Sequence, residues 1–293
     1  MNQNKDIKIK TAPFKYYLNP DKRLGQNFLL SKKALHEIIL ASELLPDDIV
    51  LEIGAGTGIL TEALAKKAKK VIAIEKDKQL ISILKERFKN HTNVEIMEGD
   101  ARDIIFNFQF SISNHKFKIP NSIFQILNSQ KYKVVANLPY YLSSFVIRQL
   151  LEVENKPKTI VLTLQKELAE RICAKPGKMS KISVMARFYG TPSLGKVIEK
   201  TAFWPEPKVD SRIIVISDIK KPENIDEKLF SRIVRIGFSS RRKMLLGNLH
   251  NGLRISKDDL RKIFMAIGID EKIRAQELSI EEWKMLTKTI PNF

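Results

Sequence analysis

The segment around residue 50 constrains the fold of this chain more than any other. Residues 49–53 are almost wholly apolar, which is typical of a strand buried on both faces of a parallel sheet. They run directly into Gly54-Ala55-Gly56-Thr57-Gly58, and the apolar spacing of residues 59–69 then predicts a helix. Glycines let a backbone approach a ligand closely, and a helix N-terminus offers unpaired N–H groups. Alone, the cluster is as typical of a tight turn as of a ligand site.

The next two predicted strands end in acidic residues. Residues 71–74 lead into Glu75, about twenty residues after the glycines, where an acidic side chain accepts hydrogen bonds from ribose hydroxyls in such sheets. Residues 94–97 lead to Gly99-Asp100-Ala101, and Asp100 could accept from the amino group of an adenine. The alternative is that both carboxylates are exposed loop charges. The glycine spacing differs from the G-x-G-x-x-G of dinucleotide binders, so S-adenosylmethionine fits better than NAD.

A polar turn follows the fourth predicted strand, residues 132–136. Asn137-Leu138-Pro139-Tyr140 is ordinary turn chemistry, but at the mouth of a parallel strand it would face a substrate. The Asn137 side-chain oxygen and the backbone carbonyl of Leu138 or Pro139 could accept both N–H bonds of an aromatic amine. That would aim the nitrogen lone pair at a methyl donor, with Tyr140 stacked on the base and Phe203 on its other side. Orientation and electrostatics would carry the rate without a strong general base.

The remaining pattern alternates strand and helix and then becomes helical, so we expect a doubly wound α/β sheet with a small helical domain. The further predicted helices cover 31–42 (with Ser31 as N-cap), 143–153, 181–189, 227–237, 258–267 and 280–289, and the further strands cover 159–164, 197–201 and 211–217. Lys221-Pro222 reads as a linker. The predicted domains are 1–218, with a flexible basic arm at about 1–21, and 219–293. Residues 102–131 show no clear periodicity.

The charge of the chain indicates a polyanionic partner. Lys and Arg number 51 against 33 Asp and Glu, a net charge of +18, and basic residues exceed acidic ones both in residues 1–40 and in residues 219–293. Phosphate backbones suit such a chain, although lysine-rich surfaces also serve solubility. Lys22 and Arg23 precede the first helix, and Arg241-Arg242-Lys243 follow Phe238 between C-terminal helices. We predict that these five cations contact RNA phosphates, with solvated turns as the alternative.

Composition excludes several other classes. Cys173 is the only cysteine, so the chain has no internal disulfide and no multi-cysteine zinc site, and packing is the favoured role for this thiol. No apolar run is long enough to span a bilayer, and the polar N-terminus lacks a secretory signal. We therefore expect a cytoplasmic, monomeric protein without a metal or membrane partner.

Taken together, the motifs resemble the ribosomal RNA adenine dimethyltransferase family of the KsgA type across nearly the whole chain. The resemblance rests on Lys22 to Leu29, Leu51 to Gly58, Asn137 to Ser144, Gln165-Lys166-Glu167, Pro205 to Ser211 and Phe238 to Lys243. DNA amino-methyltransferases share the Asn/Asp-Pro-x-Tyr turn but not the other elements. The resemblance implies a Rossmann-like, class I S-adenosylmethionine-dependent methyltransferase domain with a C-terminal helical domain that binds RNA.

The resemblance also implies a reaction and a set of site residues. Such enzymes transfer four methyl groups to two adjacent adenosines near the 3′ end of 16S (small-subunit) rRNA, in late pre-30S particles. Combined with the strand-end pattern, it predicts cofactor contacts at Asn27, Leu29, Gly54, Gly56, Glu75, Asp100, Ala101 and Asn137, and catalytic or base contacts at Asn137, Leu138, Pro139, Tyr140 and Phe203. The 102–131 segment and the N-terminal arm are longer than expected for the family.

Two other functions remain open on the sequence. One is methylation of large-subunit rRNA, as in the related antibiotic-resistance enzymes, although Leu138 and the Arg-Arg-Lys loop favour the small-subunit type. The other is a binding role, as an assembly factor or a related transcription factor. The intact Glu75, Asp100 and 137–140 set argues against lost catalysis.

Overall fold

The computed structural model describes residues 20–104 and 131–290, together with the backbone of 7–11 and 14–18. Its strands are β1 (Ile7–Thr11), β2 (Phe14–Leu18), β3 (Phe28–Leu29), β4 (Ile49–Ile53), β5 (Lys70–Glu75), β6 (Val94–Glu98), β7 (Tyr132–Asn137), β8 (Thr159–Gln165), β9 (Thr191–Ile198), β10 (Phe203–Trp204) and β11 (Ser211–Ser217). Its helices are α1 (Lys32–Ala41), α2 (Ile59–Ala65), α3 (Lys78–Phe88), α4 (Ser143–Glu152), α5 (Lys166–Ile172), α6 (Lys181–Tyr189), α7 (Glu227–Gly237), α8 (Leu245–Leu253), α9 (Lys257–Ala266) and α10 (Ile280–Thr289). A short helical turn at 101–104 follows β6.

The main sheet has seven strands in the order β6-β5-β4-β7-β8-β11-β9. The first five pair in parallel, whereas β11 pairs antiparallel with both β8 and β9. All five residues of β4 are buried because helices cover both faces of the sheet, which explains their apolar character. The chain runs outward from β4 through β5 to β6 and then returns to β7 on the other side of β4. The carboxyl ends of β4 and β7 therefore flank the topological switch point, where ligands bind in such sheets.

The C-terminal helices share one apolar core with the sheet. Phe188 of α6 stacks on Phe230 of α7, with ring centroids 3.6 Å apart, and both are buried. Trp283 of α10 stacks in turn on Phe238 at the end of α7, with centroids 5.8 Å apart. Helix α7 thus packs through Phe230 on α6, a helix that follows the parallel strands. The predicted domain boundary between residues 218 and 219 stays a prediction.

Several sequence expectations need correction. Within the predicted basic arm, residues 7–11 and 14–18 form an antiparallel pair from Ile7↔Leu18 to Thr11↔Phe14, two strands that the sequence analysis did not predict. Helix α2 ends at Ala65 rather than at 69, because Lys69 N–H donates to the Asp48 carbonyl at 2.9 Å and leads into β5. The irregular stretch expected at 102–131 lies outside the described residues from 105 to 130.

Two elements in the second half of the chain also differ from expectation. Strand β9 begins at Thr191 rather than at 197. The sequence did not predict its first half because Pro192 and Gly195 disfavour strands, but a strand at the edge of a sheet tolerates both residues. Helix α8 was missed because its sequence carries Gly247, Asn248, Asn251 and Gly252, all poor helix formers. The packing requires Gly252, since a Cβ there would lie 2.3 Å from the side chain of Ile236.

Candidate active site

A cleft opens at the switch point, beyond the carboxyl ends of β4, β5, β6 and β7. Its empty volume, open mouth included, is about 1030 Å³. The lining includes all the predicted cofactor and catalytic residues: Asn27, Leu29, Gly54, Gly56, Glu75, Asp100, Ala101, Asn137, Leu138, Pro139, Tyr140 and Phe203. The structure thus brings together side chains that are up to 176 positions apart in the chain. Their individual roles stay predictions.

The glycine turn after β4 is held by a carboxylate. Gly54, Gly56 and Gly58 have φ values of +75°, +58° and +81°, a region that favours glycine. The Gly56 N–H donates to Glu75 Oε2 at 2.8 Å, and Glu75 Oε1 accepts from the N–H groups of Lys76 and Asp77 at 2.8 and 2.9 Å. Glu75 therefore fixes the turn at the end of β5. Its oxygens have lone pairs left for further donors.

Asp100 lies beyond β6 and is held by two cations. Arg102 donates to both of its oxygens, at 3.1 Å from Nε to Oδ1 and 2.6 Å from Nη2 to Oδ2, and Lys76 Nζ lies 2.8 Å from Oδ2. Hydrogen bonding from Arg102, with help from Lys76, holds the pKa of Asp100 well below its usual range. Asp100 is thus an anionic acceptor at the end of this strand.

The polar turn after β7 leaves two acceptors free. Asn137 Nδ2 donates to the Asn27 carbonyl at 3.3 Å, whereas no described residue donates to Asn137 Oδ1. The Pro139 carbonyl accepts from Leu142 N–H at 3.0 Å as a short 3₁₀ turn begins. No described residue donates to the Leu138 carbonyl. Of the two carbonyls considered from the sequence, Leu138 is therefore the one available to a substrate amine.

Two aromatic rings flank this turn. The hydroxyl of Tyr140 lies 2.8 Å from Ser211 Oγ, and this hydrogen bond fixes the ring against β11. Burial raises the pKa of Tyr140, so its hydroxyl stays protonated at neutral pH. Phe203 lies on β10, opposite Leu29 of β3, and only 4% of it is exposed. Both rings line the cleft, where base stacking remains a prediction.

The segment from 21 to 29 closes one side of the cleft. Gln26 Nε2 donates to Asp77 Oδ2 at 2.7 Å, which ties the segment to the N-cap of α3. A Cβ on Gly25 would lie 3.2 Å from the Tyr141 ring, so the glycine permits close approach of these two loops. The short β3–β10 pair anchors the other end. The amides of this segment thus serve mainly to position the backbone.

One lining residue escaped the sequence analysis. Glu52 is fully buried in β4, and neither of its carboxyl oxygens has a hydrogen-bond partner. Burial, together with the negative charge of Glu75, raises the pKa of Glu52 to about 8. The Thr61 hydroxyl on α2 opposes part of this increase, although it makes no hydrogen bond of normal geometry with the carboxyl. The sequence feature that could have identified Glu52 is that it is the only charged residue in an otherwise apolar strand.

The predicted RNA contacts differ in their surroundings. Arg241, Arg242 and Lys243 are exposed, without an ion pair to any described residue, in the turn between α7 and α8. Asn248 Nδ2 holds this turn through the carbonyls of Gly237 and Ser240, at 2.7 and 3.0 Å. Unpaired charge on a fixed turn suits phosphate binding.

Of the two upstream cations, Lys22 and Arg23, the second is less available to phosphate than the Arg241-Arg242-Lys243 turn. Arg23 pairs with Asp21 at 2.8 Å, which compensates part of its charge, although 90% of its side chain is exposed. The side chain of Lys22 lies outside the description. The upstream site is therefore the weaker of the two predicted phosphate contacts.

Other sequence expectations concern reactivity and partners. Burial raises the pKa of the Cys173 thiol to about 11, which disfavours a reactive thiolate and agrees with a packing role. Within residues 20–104 and 131–290, no group of three His, Cys, Asp or Glu side chains could hold a metal ion. In the same part of the chain, no helix combines the length and apolar character that crossing a bilayer requires.

The sheet order and the site at its switch point define a class I methyltransferase, and comparison with solved structures confirms the predicted fold. A dimethyladenosine transferase from Plasmodium falciparum has a TM-score of 0.71 and 28% identity, covering 88% of this chain and 95% of that one. The 23S rRNA methyltransferase ErmE shares the fold, with a TM-score of 0.68 and 23% identity over 90% of this chain and 99% of that one.

Sequence comparison makes the assignment more specific. The model of the family described as "Ribosomal RNA adenine dimethylase" matches residues 18–291, and the chain belongs to this family. It is 43% identical to the Ribosomal RNA small subunit methyltransferase A of Dehalococcoides mccartyi, over 92% of this chain and 88% of that protein. Its counterpart of the same name from Clostridium acetobutylicum is 38% identical, over 98% and 99%. The family resemblance inferred from the motifs is confirmed.

Proposed function

We propose that this protein transfers methyl groups from S-adenosylmethionine to the exocyclic amines of two adjacent adenosines near the 3′ end of 16S (small-subunit) rRNA, giving dimethyladenosines late in assembly of the small subunit. The observation that carries the proposal is the pair of free acceptors at the switch point, Asn137 Oδ1 and the Leu138 carbonyl, in a chain of the adenine dimethylase family. Two acceptors match the two N–H bonds of one adenine amine. A cytoplasmic location accompanies this substrate.

The residues around the cleft fit the proposed cofactor. Three positive-φ glycines open space beside the N-terminus of α2, and carboxylates stand at the ends of β5 and β6. Glu75 would take the ribose hydroxyls and Asp100 the adenine amine. Glu52 adds a buried carboxyl without a hydrogen-bond partner, which is available to a polar group of the ligand. When bound, the cofactor supplies an electrophilic methyl group on a sulfonium centre.

The chain's own residues then orient the amine. Hydrogen bonds from its two N–H groups to Asn137 Oδ1 and the Leu138 carbonyl favour a pyramidal nitrogen with its lone pair directed away from the ring. Pro139 fixes the turn, and the Tyr140 ring, held by Ser211, packs on the flipped base. Methylation makes the nitrogen strongly acidic, so its proton passes to solvent without a dedicated base. Preorganised acceptors and orientation supply the acceleration.

A methyl-transfer assay tests the proposal. Small-subunit and large-subunit particles from cells lacking this protein are incubated with labelled S-adenosylmethionine and the purified enzyme, and mass spectrometry identifies the modified base. We expect dimethyladenosine at two adjacent positions near the 3′ end of the small-subunit rRNA and no label on the large subunit. Label on the large subunit instead would overturn the substrate assignment, and label on neither particle would overturn the proposed function.

A further inference from the structure

Two exposed aromatic rings stand out beside the active-site turn. Among the Phe, Tyr and Trp side chains in residues 20–104 and 131–290, only Tyr141 and Phe145 are more than a third exposed, at 53% and 37%. Every other described ring is at least partly covered by the fold. Two exposed rings close together in the chain form a patch that a partner can cover.

The two rings belong to one stripe on the surface of α4 and the turn before it. Tyr141, Phe145 and Arg148 are exposed at positions i, i+4 and i+7, while Val146, Ile147 and Leu150 face the core. The stripe begins directly after Tyr140 and runs away from the reacting centre. At the rise of an α-helix, neighbouring members of the stripe lie roughly 4.5–6 Å apart along the axis. That spacing exceeds the stacking distance within a helix of nucleic acid and suits bases that have been unstacked.

A cationic groove continues the stripe. Arg148 lines a cleft between α4, α6 and α7 that also contains Arg232 and Arg235 of α7. Seven Lys or Arg side chains line this cleft against three Glu. Glu152 and Glu227 are already engaged with cations, at 3.2 Å from Arg148 and 3.5 Å from Lys156. Arg232 and Arg235 are exposed and make no ion pair with any described residue, so their charge is available to an anion.

We propose that Tyr141 and Phe145 stack on the unpaired bases next to the target adenosine, and that Arg232 and Arg235 hold the phosphates of the same RNA strand in the groove between α4 and α7. The surface is aromatic where it adjoins the reacting turn and cationic further away, which is the arrangement that single-stranded RNA requires. This inference rests on the proposed function, since it assigns the path of its RNA substrate.

The first test measures binding, which needs no turnover. Equilibrium affinity for unmodified small-subunit particles is compared between wild type, Tyr141→Ala and Phe145→Ala. We expect a loss of roughly 5- to 150-fold for each variant, the range that base–aromatic stacking produces. Tyr141→Phe keeps the ring and should bind as wild type does, whereas Phe145→Leu keeps the apolar volume without a ring and should lose affinity as the alanine variant does. For Phe145→Ala, which lies outside the cleft lining, the Kd for S-adenosylmethionine and the thermal midpoint should not change.

The second test separates phosphate contacts from general charge. Arg232→Ala combined with Arg235→Ala should lower the slope of log affinity against log salt by about two, one for each phosphate released. The matched controls are Lys67→Ala, an exposed cation beyond α2 that makes no ion pair with any described residue, and Met265→Ala, an 86% exposed apolar side chain on α9. Both controls should bind particles as the wild type does.

The outcomes of these tests distinguish failure of the stacking surface from failure of the proposed function. If wild type binds and methylates particles while Tyr141→Ala and Phe145→Ala match it, the stacking surface is refuted and the proposed function stands. If Phe145→Leu binds as tightly as wild type, the contact is hydrophobic burial and the stacking assignment fails. If wild type binds particles but transfers no methyl group, the proposed function fails while the binding comparison still decides the path of the RNA.

Discussion

Replacing Glu52 with glutamine should make the protein more stable at neutral and alkaline pH. In the folded protein, burial raises the pKa of Glu52 from 4.5 to about 8. Between these values the folded state keeps a proton that the unfolded chain releases, so the free energy of unfolding falls by about 1.4 kcal/mol per pH unit as pH rises. This loss of stability is absent below pH 4.5 and complete above about pH 8. The free energy of unfolding therefore falls by about 5 kcal/mol at most.

Urea unfolding of the apo-protein at intervals from pH 5 to pH 9 measures this effect. The difference in stability between Glu52→Gln and wild type should grow with pH and level off near pH 8, because an uncharged amide removes the titration but keeps the shape. Glu98→Gln, which makes the same substitution at an exposed carboxylate ending β6, is the matched control. A flat difference for Glu52→Gln would refute the reasoning, since it would mean that the buried carboxyl titrates as it does in water.

Four further outcomes can be measured directly. Asn137→Ala should lower kcat by about 10²- to 10³-fold with little change in particle affinity, and unchanged turnover would contradict the role of its amide. Lys133→Ala should cost about 3–5 kcal/mol in urea unfolding, because the buried Nζ is 2.8 Å from Asp48 and also binds two carbonyls at the end of α1; a loss below about 1 kcal/mol would show that the bridge is dispensable. Gly58→Ala should lower the thermal midpoint more than Gly177→Ala, since both have positive φ but only the Cβ at 58 would meet Phe88, at 2.7 Å; equal shifts would argue against the clash. Arg241→Ala with Arg242→Ala should weaken RNA binding and reduce its salt slope by about two, and an unaltered slope would remove this turn from the interface.

The sequence predicts the parallel strands and the switch point well because their constraints are local. Buried strands such as 49–53 are mostly apolar, and the turns after them carry glycine or hydrogen-bonding side chains, so the signal lies in adjacent residues. The same holds for α1, whose N-cap Ser31 accepts from Ala34 N–H at 3.2 Å as expected. These elements account for the fold class and for the set of residues around the cleft.

The features that were missed depend on residues distant in the chain. Helix α8 overrides poor local propensity because Gly252 must approach Ile236 and Asn248 must hold the preceding turn. Glu52 makes no hydrogen bond although the Thr61 hydroxyl on α2 lies near it, and no local sequence pattern records that geometry. The free Leu138 carbonyl likewise became evident only when Pro139 was found to accept from Leu142.

The hydrogen bond between Glu75 and the glycine turn bears on how the cofactor is exchanged. The Gly56 N–H of this turn binds the carboxylate, which the N–H groups of Lys76 and Asp77 also hold, so bonds within the protein itself fix the wall of the pocket. Binding then requires little ordering of the chain, and release requires no local unfolding. Under the proposed function, four methyl transfers to one particle require the exchange of spent cofactor for fresh cofactor between transfers. A rigid pocket of this kind allows that exchange while the large RNA substrate stays docked.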